Sequence, residues 1–279
     1  MNKIYPCFWF DGQAKAAAQF YCSIFDNSKI TGDSPMVVNF SLNGQKFMGL
    51  NGGPQFKINP STSIFAMCQT AEETDTAWQK LSEGGTVLMP LDKYPWSEKY
   101  GWLQDRFGVS WQIGKGKLDD VHGQTFTPCF LFTGPQHGRA EEALKFYTST
   151  FQPSSVSGIL YNAAGDTEPE GTVKHAQFVI RNYVMMVMDS VGPHAFNFNE
   201  AFSFVVECET QQEIDYYWGK FAEGGEESRC GWVKDKFGVW WQVVPTILGK
   251  LMSDPTRAQR AMQAFMQMKK FDIKKLEEA

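Results

Sequence analysis

No stretch of this chain is long, apolar and uncharged enough to span a bilayer. Histidine is scarce, with four residues at 122, 137, 175 and 194. The six cysteines, at 7, 22, 68, 129, 208 and 230, include no CxxC pair. Scattered thiols argue against a structural zinc cluster or a disulfide framework, and they read as small buried residues. Basic charge is also thin: 26 Lys and Arg against 31 Asp and Glu, a net charge of −5. Nucleic-acid binding calls for a basic face, so no such partner is expected, and no membrane partner either. The opening MNKIYPCFWFDG lacks the apolar core and cleavage site of a secretory signal, so a cytoplasmic location is expected.

Large apolar side chains are abundant. Of 279 residues, 43% are hydrophobic and 15% aromatic, enough for two domains with separate cores. The phrase GWLQDRFGVSWQI at 101–113 returns as GWVKDKFGVWWQV at 231–243, with eight of thirteen positions identical. PCFWF at 6–10 returns as PCFLF at 128–132, and EGG at 83–85 returns at 223–225. The spacing drifts while the order holds, as expected of a duplicated unit.

Each half reads as strand, helix and a pair of strands, twice over, with room for one more short strand per unit. Asn43-Gly44 marks a hairpin between 36–42 and 46–50. Helix 72–82 should end at Gly84-Gly85 in a left-handed cap. The expected organisation is domain 1 over 1–115, a polar linker over 116–124, domain 2 over 125–247 and a helical extension over 248–279. Apolar residues from Ala258 to Met266 follow helical spacing, so this tail should pack on the domain or on a second copy in a homodimer.

A tandem β-α-β-β-β unit resembles the vicinal oxygen chelate superfamily of glyoxalase I, bleomycin-resistance proteins and extradiol dioxygenases. The D-x-F-G-V-x-W-Q phrase, the P-C-F-x-F opening and Asn51-Gly52-Gly53-Pro54 resemble its PhnB-like branch, which carries the label 3-demethylubiquinone-9 3-methyltransferase. The resemblance implies an α+β fold in which two such units curl into a half-barrel around a ligand. In metal-dependent relatives, four strand positions supply His, Glu or Gln. Here they fall near Tyr5, Asn39, Ser61 or Ser63, and Gln112 in the first half. In the second they fall near Thr127, Gln177, Ala201 or Ser203, and Gln242. Neutral residues of this kind are weak ligands, so no divalent metal is expected. S-adenosylmethionine is not expected either, because no glycine-rich turn opens a helix.

The candidate ligand-binding residues are Cys7, Trp9, Asn39, Trp96, Gln112, Cys129, His175, Gln177, Trp240 and Gln242. Strand alternation puts Cys7 with Tyr5 and Trp9, opposite Phe8 and Phe10, and puts Gln112 and Gln242 opposite Trp111 and Trp241. Each amide either orients a polar ligand or pairs within the sheet. The segment 86–100, with Tyr94, Trp96 and Tyr100, reads as an aromatic lid loop. The leading functional expectation is a metal-independent small-molecule-binding protein with an aromatic-lined cavity. The alternatives are a lyase, isomerase or dioxygenase of the glyoxalase type, the labelled methyltransferase, or a structural interaction protein.

Overall fold

The structure, a computed structural model, describes residues 3–279. Four β-α-β-β-β modules follow one another. The first comprises β1 (Ile4–Phe10), α1 (Ala14–Ile24), β2 (Lys29–Asp33), β3 (Val37–Leu42) and β4 (Gln45–Asn51). The second comprises β5 (Thr62–Cys68), α2 (Ala71–Ser82), β6 (Thr86–Tyr94), β7 (Ser97–Gln104) and β8 (Ser110–Lys115). A short 3-10 helix, Leu118–Val121, leads to the third: β9 (Phe126–Phe132), α3 (Ala140–Thr150), β10 (Ser154–Tyr161), β11 (Val173–Ile180) and β12 (Tyr183–Asp189). The last comprises β13 (Phe202–Cys208), α4 (Gln211–Ala222), β14 (Glu226–Glu227), β15 (Trp232–Lys234) and β16 (Trp240–Pro245). Three helices follow: α5 (Ile247–Ser253), α6 (Ala258–Met266) and α7 (Ile273–Glu278).

Local sequence explains the repeated helix starts. Thr70 accepts from the Glu73 amide at 3.1 Å, and Glu73 accepts from the Gln69 amide at 2.8 Å. Thr210 and Glu213 repeat this capping box before α4, a device worth about 1 kcal/mol each time. Asn43 and Gly44 both have positive φ, as the expected hairpin turn requires.

The repeated phrase is a structural knot. Asp105 is buried and accepts from the Tyr21 hydroxyl (2.8 Å), the Trp111 indole (2.9 Å) and the Phe107 (2.8 Å) and Val109 (3.1 Å) amides. Asp235 binds the Phe237 and Val239 amides and the Trp241 indole in the same way. The glycine that opens the phrase makes room for an aromatic ring. A Cβ on Gly101 would lie 2.4 Å from Trp78, and one on Gly231 would lie 2.4 Å from Phe271.

The sixteen strands form two eight-stranded sheets, as the α+β expectation requires. The compact units do not follow the repeats. One unit is Cys7–Phe202, and the other joins the described residues up to Pro6 with Ser203–Ala279. The larger unit contains a complete sheet of order β10-β11-β12-β9-β5-β8-β7-β6. Its central pair, β5 and β9, is antiparallel and places Ser63 opposite Cys129 and Phe65 opposite Thr127. Thus the second module of one repeat and the first module of the next build one sheet. In the same unit, β1 from Cys7 onward runs parallel to β4, which pairs with β3, and β3 with β2. In the smaller unit, β13 runs parallel to β16, followed by β15 and β14. There the Glu207 amide reaches Lys3 O at 2.8 Å.

The tail differs from the single amphipathic helix expected. It breaks into α5, α6 and α7, and its apolar residues Leu251, Ala261, Phe271 and Leu276 are buried. Gln211 holds it by binding Phe271 O (3.0 Å) and the Ile273 amide (2.9 Å). No helix among the described residues is long and apolar enough to cross a membrane.

Candidate functional site

In the larger unit's complete sheet, Ile64, Trp111, Ile113, Phe126 and Phe130 turn toward the helices and are fully buried. Trp111 packs on Tyr21 and Phe25 from α1 and its C-terminal cap. By alternation, Ser63, Phe65, Ser110, Gln112, Thr127 and Cys129 share the opposite face. Gln112 is central there. Its Nε2 donates to Ser63 Oγ at 2.7 Å, and its Oε1 accepts the Tyr100 hydroxyl at 2.8 Å. Nearby, the Trp102 indole donates to Ser110 Oγ at 2.8 Å.

The titratable groups on this face are poorly placed for proton transfer at neutral pH. Burial pushes the Cys129 thiol up to about 12, partly offset by its hydrogen bond with Gln112. Burial also drives the Tyr100 hydroxyl far above its ordinary range and holds His175 below the ordinary imidazole value. A thiol held protonated is a poor nucleophile.

The segment read as a polar linker covers this face. Val121 is 1% exposed and forms a buried cluster with Cys129 and Met186, against which Phe65, Met67, Leu118 and Met188 pack. Gln177 ties the cover down by donating to Asp120 O at 2.9 Å. Gln124 latches its end, donating to Val184 O (2.8 Å) and accepting from the Val184 amide (2.9 Å). The apolar pair Leu118 and Val121, three apart in a Gly- and Asp-rich stretch, is the signal that sequence reading passed over.

The expected lid loop is a β-hairpin, β6 and β7. Tyr94 and Trp96 stack at 5.0 Å, and both contact Tyr100, at 5.7 and 6.0 Å. Tyr100 in turn lies 6.4 Å from Phe65. An aromatic row therefore runs from Trp96, 61% exposed, to the Gln112 amide.

The sequence-derived residues thus regroup. Gln112, Cys129, Gln177 and His175 belong to this one sheet and Trp96 to the turn of its β6–β7 hairpin, although the reading by halves divided them between two sites. The mixing of repeats by β5 and β9 is the reason. Cys7, Trp9 and Asn39 lie instead on β1 and β3. Cys7 is buried, and Asn39 pairs with Met48. The Trp9 indole donates to Gly53 O at 2.8 Å and fills the space where a Gly52 Cβ would stand, 2.1 Å from its ring. The glycines of the Asn51–Pro54 segment therefore serve packing around Trp9.

The smaller unit carries Trp240 and Gln242. Trp241 stacks on Phe221 of α4 at 4.5 Å, so its neighbours face the other way. Gln242 Nε2 donates to Ser203 Oγ at 2.9 Å, repeating the pair formed by Gln112 and Ser63. Trp232 lies 6.3 Å from Trp240, and Lys234 stands 5.7 Å over the Trp240 ring. In the same unit the Tyr5 hydroxyl donates to Glu207 at 3.0 Å.

The family described as 3-demethylubiquinone-9 3-methyltransferase matches this chain over residues 2–114 and again over 124–244. The chain belongs to this family. The two matches coincide with the sequence repeats, so the methyltransferase-labelled, PhnB-like family is present here in tandem. A PhnB protein of Bacillus cereus with the same description is 39% identical, covering 39% of this chain and 96% of its own (TM-score 0.38). A protein from Pseudomonas aeruginosa is 25% identical over 41% of this chain and 98% of its own (TM-score 0.36). Glyoxalase I from Zea mays is 11% identical but covers 85% of this chain and 89% of its own, with a TM-score of 0.54. That likeness places the PhnB-like tandem in the vicinal oxygen chelate fold. Among curated proteins, none matches.

Proposed function

We propose that this PhnB-like protein is a metal-independent binder of a small, planar, largely apolar molecule. The single observation that carries the reading is the neutral amide that each repeat holds with a serine beside aromatic side chains, Gln112 with Ser63 and Gln242 with Ser203. A neutral amide is fixed by Tyr100 and Ser63 amid Phe65, Met67, Met186 and the aromatic row. Apolar walls with a few fixed polar groups are the usual makeup of small-molecule sites.

The groups implied by the fold and by the family name fit these residues poorly. A divalent ion needs carboxylate or imidazole donors. The corresponding positions hold Ser63, Gln112, Thr127 and Gln177, and both Gln side chains already have hydrogen-bond partners. S-adenosylmethionine would call for a glycine turn free to approach it, whereas Gly52 lies flat under Trp9.

The test is a thermal-unfolding screen with indole, quinoline and 1-naphthol, beside metal analysis of protein as purified. A ligand at about 100 times its Kd should stabilise the fold by about 2.7 kcal/mol, a rise of several degrees in Tm. Tight stoichiometric zinc, nickel or iron, or no shift with any planar ligand, would overturn the reading.

A further inference from the structure

The cover over the Gln112 face is a turn that bonds mainly to itself. The Asp120 amide donates to Lys117 O (3.1 Å), the His122 amide to Asp119 O (3.2 Å) and the Gly123 amide to Leu118 O (2.8 Å). Moving the turn as one body would strand none of these groups. Glycine flanks it on both sides, at Gly116 and at Gly123, whose φ is 78°. Among the described residues, two side-chain bonds tie the turn to β11 and β10. Gln177 Nε2 donates to Asp120 O at 2.9 Å, and the exposed His122 meets Ser157 Oγ through Nε2 at 3.1 Å. The rest of its hold is apolar, through buried Val121 and half-buried Leu118.

The turn rests on Phe65, Met67, Cys129, Met186 and Met188, of which Phe65, Met67 and Met188 stay half-exposed at its margin. Thioether side chains re-pack readily around different shapes. The second repeat carries the same device. The Thr246 amide donates to Cys208 O at 2.8 Å, as the Gly116 amide does to Cys68 O at 2.9 Å. Leu248 and Leu251 then follow at the spacing of Leu118 and Val121, again half-buried and buried. There the turn continues as the seven-residue helix α5 and runs into a tail that Gln211 holds. The first repeat keeps only a single turn between glycines.

Resting on the binding reading above, we propose that Leu118–Val121 is an intramolecular plug. Its two apolar side chains hold the place of the planar ligand, and the plug withdraws when the ligand seats on Phe65 and Met186. Withdrawal releases Gln177 Nε2 from Asp120 O, so the ligand carries a hydrogen-bond acceptor at its edge. The apparent affinity is then the intrinsic one scaled by the fraction of molecules with the plug out.

Quinoline, a planar ring with one acceptor at its edge, is the probe. Leu118→Ser weakens the plug and leaves the wall beneath it unchanged. Raising the open fraction from about one in a hundred to about one in ten tightens binding about tenfold. Titration calorimetry on the full chain should show that gain in Leu118→Ser and a smaller one in His122→Ala, whose exposed side chain can be lost without unfolding the chain. Unchanged or weaker binding in both variants makes Leu118 ordinary packing. That result overturns the plug and leaves the binding reading intact. Trypsin gives a second readout on the native protein, because ligands ordinarily slow proteolysis. Quinoline should instead speed cleavage after Lys117, followed by peptide mass spectrometry, and unchanged or slower cleavage there overturns the plug. If quinoline binds neither the native protein nor the variants the plug falls, and the broader reading falls with it only if indole and 1-naphthol also fail.

Discussion

Ser63, from the first repeat, stands directly opposite Cys129, from the second, in the antiparallel pair of β5 and β9. Gln112 joins them, donating to Ser63 and contacting the Cys129 thiol. A duplicated chain has here built one face from parts of both copies. Neither copy alone contains that face.

The cover over this face can be probed through Cys129. Val121→Ala removes two methyl groups from a buried cluster and should cost about 2 kcal/mol. It should also speed alkylation of Cys129 by iodoacetamide, read by peptide mass spectrometry. In the native protein that thiol, pushed up to about 12, should label far more slowly than the half-buried Cys22 and Cys230. If the Cys129 rate is the same in both proteins, the Leu118–Val121 helix is not its cover.

Asp105 should be among the most sensitive positions in the chain. Asp105→Ala leaves the Tyr21 hydroxyl, the Trp111 indole and two amides without their shared acceptor. The expected loss is about 3 kcal/mol, measured as a lower urea midpoint at unchanged m. A loss below about 1 kcal/mol would contradict the role assigned to the motif.

His175 supplies a pH dependence. Burial lowers its folded-state pKa, so below the unfolded value of about 6.5 the unfolded chain takes up a proton that the folded chain refuses. Its contribution to stability is thus complete above that value and is lost as pH falls through the folded one. Urea midpoints should drop as the pH is lowered below about 6.5. In His175→Gln the drop should be smaller; an identical pH profile would remove His175 from the account.

Several local features were legible because they depend on neighbouring residues alone. Asn43-Gly44 makes a hairpin turn through positive φ at both positions, and Thr70 and Glu73 cap α2 through residues three apart. Strand alternation correctly put Trp111 under the helices and Gln112 on the other face. Edge strands were the harder case. β6 was read as a lid loop and β10 as a long insertion before its hairpin, because an edge strand is exposed on both faces. The mostly exposed residues of SSVSGILY show no buried alternation to detect.

The sequence by itself determined the duplication, the module pattern, the family and the neutral character of the strand positions where relatives place metal ligands. Those are properties of residue type, order and short-range period. Only the tertiary structure decided which residues share a face, since strand pairing between β5 and β9 joins segments from different repeats. It also decided that the Leu118–Val121 segment is a cover, and that the exchange of Tyr100 for Cys230 between the copies matters to the amide. Tyr100 donates to Gln112, while Cys230 stands at the equivalent point and binds Met268 O through its backbone amide.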